Sequence, residues 1–225
     1  MKISKIFSVC SLFTSLFVSS AFAAPISWTD WQTSSSTTAG GQLAVGSTLV
    51  DVAVSSTSPL NFVQTGTGPN YFSGHGSNPS GTAYTNGVID NAPTASEMIS
   101  LNLGGTITLT FSEAIQDIFI AVVSANGNSM DFGTAISIDS FGRGFWGAGT
   151  PLLNGTGTGF FGAGEVHGVI QAAGSFTTLS FTHTTENWHG FTLGVASLAS
   201  VPEPASMLML LTGLLGMGLR RRRVS

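Results

Sequence analysis

Thr106-Ile-Thr-Leu-Thr-Phe111 and, a few residues later, Ile118-Phe-Ile-Ala-Val-Val123 decide the fold class of this chain. In the first, Ile107, Leu109 and Phe111 alternate with threonines, the period-two pattern of a strand with one wet face. The second is apolar without interruption and rich in β-branched residues, which predicts a strand buried on both faces. Ser112-Glu-Ala-Ile-Gln116 between them reads as a connection between neighbouring strands. Further strands are expected over residues 42–54, 60–64, 135–139, 164–171, 176–183 and 190–196. Asn126-Gly127 is expected to turn the chain, because both residues tolerate positive φ. No segment before Ala205 keeps a helical period over three turns. Some eight to ten strands without intervening helices predict an all-β, antiparallel two-sheet sandwich, with a jelly roll preferred to a closed barrel. Residues 66–91 are rich in Gly, Asn, Ser, Thr and Pro and read as a long surface excursion. Residues 142–164 form a second Gly-rich stretch carrying Phe145, Trp146, Phe160 and Phe161. No internal repeat is evident.

Both ends of the chain differ from this body. Lys2 and Lys5 precede an apolar core from Ile6 to Val18, and Ala21-Phe-Ala23 follows with the small-x-small pattern a signal peptidase cleaves. A signal peptide over residues 1–23 is expected. Cys10, the single cysteine, would leave with it, so neither a disulfide nor thiol chemistry is expected in the mature chain. The body is then one domain, residues 24–200, long enough for a sizeable core. Arg143 is its only basic residue, against ten acids, a net charge of about −9. Phosphate backbones would be repelled, which excludes nucleic acid as a partner.

The acids and histidines are the plausible catalytic inventory, and they match no strict motif. Glu165-Val-His167 places two polar groups on one face of a strand. His183, Glu186 and His189 fall at one hairpin end, where three N/O ligands would suit zinc or another transition metal. Asn128, Asp131 and Asp139 are candidate oxygen ligands for calcium, although no EF-hand pattern is present. There is no Gly-x-Ser-x-Gly elbow, and Gly155-x-Gly-x-Gly159 has neither the spacing nor the lysine of a phosphate cradle. Trp28, Trp31, Tyr71, Phe72, Tyr84, Phe145, Trp146 and Trp188 fall mostly in loops or at strand ends, where an aromatic ring either packs the core or stacks on a sugar.

The C-terminal end is the most specific stretch. Pro202-Glu-Pro204 is followed by an apolar run from Ala205 to Leu219 and by Arg220, Arg221, Arg222 and Arg223. This three-part tail resembles the PEP-CTERM sorting signal. The resemblance implies recognition by an exosortase and export to the cell surface or an exopolysaccharide matrix. It makes Pro202, Glu203 and Pro204 recognised residues of a substrate, with no part in catalysis. Asn187-Trp-His-Gly-Phe-Thr-Leu-Gly194 also looks like the closing strand often found before such signals. The apolar run is expected to form a short transmembrane helix serving as a transient inner-membrane anchor, with the arginines left cytoplasmic. As a helix it would measure only about 22 Å, short of the ~30 Å hydrocarbon core. The expectation is an exported, non-enzymatic protein with a structural or adhesive role. A carbohydrate-binding module using loop aromatics and a metal-dependent hydrolase are the alternatives.

Overall fold

The two strands expected at 106–111 and 118–123 are one. In the computed structural model, which describes residues 25–74, 82–85 and 89–198, the chain runs as a strand from Gly105 to Ala125. Thirteen strands occur among the described residues: β1 Ser27–Trp28, β2 Asp30–Ser34, β3 Thr38–Val45, β4 Thr48–Ser56, β5 Phe62–Thr65, β6 Glu97–Leu101, β7 Gly105–Ala125, β8 Ser129–Asp131, β9 Ile136–Gly142, β10 Gly149–Leu153, β11 Gly159–Gly164, β12 Val166–His183 and β13 His189–Leu198. The all-β expectation holds; a separate two-sheet jelly roll does not. All thirteen strands share one hydrogen-bonded sheet, because β7 and β12 are long enough to pass through both halves of the molecule.

The bend that makes this possible sits where the sequence suggested a connection. Asp117 adopts φ 56°, an uncommon conformation that turns the strand, and its carboxylate accepts the Gly174 N–H of β12 at 2.7 Å. Register slips between Ala172 and Ser175, and again between Phe176 and Thr178, bend β12 at the same level. Before the bend, β7 lies between β4 and the second half of β12; beyond it, between β13 and the first half of β12. The sheet therefore folds over, and Trp31, Leu43, Val52, Leu109 and Phe181 from one half share a core with Ile99, Ile120, Val122, Ile170 and Phe191 from the other. Full burial of each such side chain contributes roughly 1.5–3 kcal/mol.

Ile118 to Val123 are buried on both faces, as the unbroken apolar run predicts. Ile118, Ile120 and Val122 face the central core, whereas Phe119, Ala121 and Val123 meet a second cluster with Phe72, Ala83, Tyr84 and Ile89. These last four come from the expected surface excursion, and they pack onto the sheet instead of standing in solvent. The Gly-rich stretch 142–164 is likewise partly regular, since β10 and β11 pair as a hairpin within it.

The expected C-terminal transmembrane helix is corrected as part of the fold. Among the described residues no helix is long and apolar enough to cross a membrane, and the helical segment there is a single 3-10 turn at Thr82–Tyr84. Residues 205–219 lie outside the described residues, as does the expected signal peptide. Fifteen apolar residues are also fewer than the roughly 17–25 a spanning helix needs.

Candidate functional site

One end of the folded sheet gathers five loops and strand ends around a cleft of about 330 Å³. It is lined by Ser124 from the end of β7, Asn126 from the β7–β8 turn, Trp146 from the β9–β10 loop, Glu165 between β11 and β12, and Glu186, Asn187 and Trp188 between β12 and β13. Asn126 ties the two acids together. Its side-chain N–H donates to Glu165 Oε1 at 2.7 Å, and its backbone N–H donates to Glu186 Oε2 at 3.1 Å. Ser124 donates to Glu165 Oε2 from a left-handed backbone conformation, φ 56°. A buried non-glycine residue held in that region costs of order 1–3 kcal/mol, and here the strain aims a hydroxyl at a carboxylate.

Trp146 is 52% exposed, yet its backbone is pinned. Its N–H donates to His167 Nε2 at 3.4 Å, and the other ring nitrogen of His167 lies 3.2 Å from Tyr84 Oη, which donates to the Val122 carbonyl at 3.0 Å. Because the Tyr84 hydroxyl proton is committed to Val122, His167 must carry its own proton on Nδ1 and accept on Nε2. Burial pulls the His167 pKa down to about 4, so the ring is neutral and suited to this relay. Gly144 completes the fit: a Cβ there would lie 2.2 Å from His167 Cγ, so only glycine lets the loop close over the ring.

The rings around Trp146 form a continuous group. Phe145 lies 4.8 Å from it and 4.8 Å from Tyr71; Trp188 lies 5.0 Å from Tyr71 and 6.2 Å from Trp146, near perpendicular at 77°. Four of the eight aromatic candidates thus form one cluster, and two of them, Trp146 and Trp188, line the cleft. Phe62, absent from that set, supports Trp188 from beneath at 6.4 Å. The other four candidates, Trp28, Trp31, Phe72 and Tyr84, are buried and belong to the core.

His183, Glu186 and His189 do meet, but in file. His189 Nε2 faces His183 Nδ1 at 3.2 Å, and His189 Nδ1 faces Glu186 Oε2 at 3.4 Å, too poorly aligned for a hydrogen bond. Both nitrogens of His189 are thereby directed at protein groups and not at a shared point. Among the described residues no three His, Cys, Asp or Glu side chains are grouped to hold a metal ion. Asp131 instead braces its own turn and the β10–β11 turn, accepting from Gly133 N–H and Asn154. Asp139 accepts from Ser137, and Asn128 is buried.

Burial sets the charge state of the file. It raises the Glu186 pKa to about 7, with neighbouring Glu165 adding to the rise and the Asn126 N–H opposing it. Burial, helped by His183, lowers the His189 pKa to about 3. Both shifts favour neutral partners, so the Glu186–His189 contact is not an ion pair at neutral pH.

No curated protein and no solved structure matches the chain. Residues 200–223, directly after β13, match the PEP-CTERM protein-sorting motif. The chain carries a PEP-CTERM sorting signal. Pro202, Glu203, Pro204 and Arg220 to Arg223 all fall inside the matched stretch, and the PEP-CTERM motif is consistent with exosortase-dependent export. The strand that leads into the PEP-CTERM motif, β13, begins at His189, beside the cleft.

Proposed function

We propose that this is an exported surface protein, sorted by an exosortase, with an adhesive and non-catalytic role in an exopolysaccharide matrix. The cleft holds a saccharide by stacking it on Trp146 and hydrogen-bonding it through Glu165, Glu186, Asn126 and Asn187. One observation carries the reading: Trp146 is half exposed while its backbone is locked onto a buried His167–Tyr84 relay. A large surface ring with an anchored backbone and a packing partner in Phe145 has less entropy left to lose on binding, which is the economy of a preorganised platform. Trp188 and two carboxylates beside it supply the second wall and the polar groups that orient a sugar. Export to the cell surface, with which the PEP-CTERM motif is consistent, supports this reading, because polysaccharide is met there.

A glycan array probed with the purified protein tests this. Retention of a defined set of glycans is expected, with loss on Trp146→Ala. Binding that survives the substitution, or no retained glycan at all, would reject it.

A further inference from the structure

We propose that the sugar taken by this cleft is cationic, an amino-bearing hexose unit of a polysaccharide, in preference to a neutral or acidic one. The inference rests on the saccharide reading above and narrows it. Among the described residues, two carboxylates and no basic side chain line the cleft. Arg143, the one basic residue of the body, stands on the same β9–β10 loop as Trp146 but is not among the described lining residues. Among the described residues neither Glu165 nor Glu186 pairs with a lysine or arginine; the single ionisable partner is His189, which burial keeps neutral. An acidic glycan would meet uncompensated negative charge, whereas an ammonium would supply the missing counter-charge.

The hydrogen-bond inventory points the same way. Glu165 has both oxygens occupied, by Ser124 and Asn126, which fixes the orientation of its carboxyl group. On Glu186 both contacts fall on Oε2, so Oε1 is the acceptor that remains for a ligand. Beneath it His189 Nδ1, in a side chain only 1% exposed, lacks a hydrogen-bond partner and is directed at that carboxylate. A cation at Oε1 draws Glu186 into its ionised form, and an Nδ1–H of neutral His189 then has a charged acceptor within reach. The buried Nδ1 then faces a negative charge 3.4 Å away, which offsets part of its missing hydrogen bond. Tryptophan faces add to this, since indole is the best aromatic partner for a cation and also stacks on the apolar face of a pyranose.

Isothermal titration at fixed neutral pH with four ligands of equal length decides the matter: a β-1,4-linked glucosamine tetramer, its fully N-acetylated form, cellotetraose and tetralysine. The glucosamine tetramer is expected to bind roughly tenfold tighter than either neutral sugar. Glu186→Gln should abolish that preference while leaving neutral-sugar binding in place, and Glu165→Gln serves if the first variant melts early. Trp146→Ala should weaken all three sugars. Neutral sugars binding as tightly as the amino sugar would overturn the cationic assignment and leave the saccharide reading standing. Tetralysine binding as tightly as the glucosamine tetramer would reduce the cleft to a plain cation site and overturn it too. If no sugar binds, the saccharide reading fails and this inference falls with it.

Discussion

Tyr84 and Glu186 show how single side chains set the cleft. Tyr84→Phe removes the donor to the Val122 carbonyl and the acceptor for His167 Nδ1–H, leaving two buried groups unmet. A loss of about 1–3 kcal/mol is expected in urea melts. Weaker glycan binding should accompany it, because the Trp146 anchor depends on the same ring. Glu186 answers to pH. Its folded-state pKa is raised from 4.5 to about 7, so the folded state binds a proton the unfolded chain has released, and stability declines as pH climbs through that window. His167 and His189 run the other way: held neutral below their ordinary 6.5, they favour the fold fully above that value and lose ground as the pH falls toward about 4 and about 3. Glu186→Gln should therefore raise the melting temperature at pH 8 and leave it unchanged near pH 4. The gain is about 1 kcal/mol after solvent screening of this half-buried group. An equal shift at both pH values would show that ionisation is not the cause. The meeting of His183, Glu186 and His189 was legible from their places around one turn. His167's role was not, since its partner Tyr84 lies 83 residues away in a polar stretch.

At the scale of elements, β7 carries the lesson. Its two halves have different burial patterns, alternating and then continuous, and the sequence displays both. What it conceals is that Ser112 to Gln116 stay in the strand. A polar run between apolar ones suits a loop and a solvent-facing bend equally, and only pairing with β12 separates the two. Similarly, Leu152 and Phe161 form an exposed cross-strand pair in a hairpin whose glycines mask its alternation. Asp117 is the residue on which the bend turns. Asp117→Ala loses the acceptor for Gly174 N–H and puts a Cβ residue without local hydrogen bonding at φ 56°. The expected cost is about 1–3 kcal/mol. Asp117→Gly relieves the backbone part alone, so it should fall between alanine and wild type in chemical denaturation. If glycine proves no better than alanine, the strain makes no contribution and the carboxylate contact accounts for the loss.

For the whole molecule, folding and destination separate along the chain. Among the described residues every buried core residue lies between Ile26 and Val195, and the sorting motif begins at residue 200, after β13 has ended at Leu198. The tail was legible because a sorting signal is read as local sequence by another protein and needs no tertiary partner to be recognised. The cleft was not, because its seven described lining residues come from four separate segments brought together by a sheet that folds over. Replacing Pro202, Glu203 and Pro204 with alanine should consequently alter sorting and nothing else. In cell fractionation the variant is expected to stay with the cells while the wild type reaches the surface fraction. The purified variant should melt at the wild-type temperature and keep its glycan profile, since every described strand, core and cleft residue is kept. Surface delivery at wild-type level would show that the motif is not what an exosortase reads in this chain. A lowered melting temperature would instead show that the fold leans on residues beyond β13, and any sorting defect would then reflect instability.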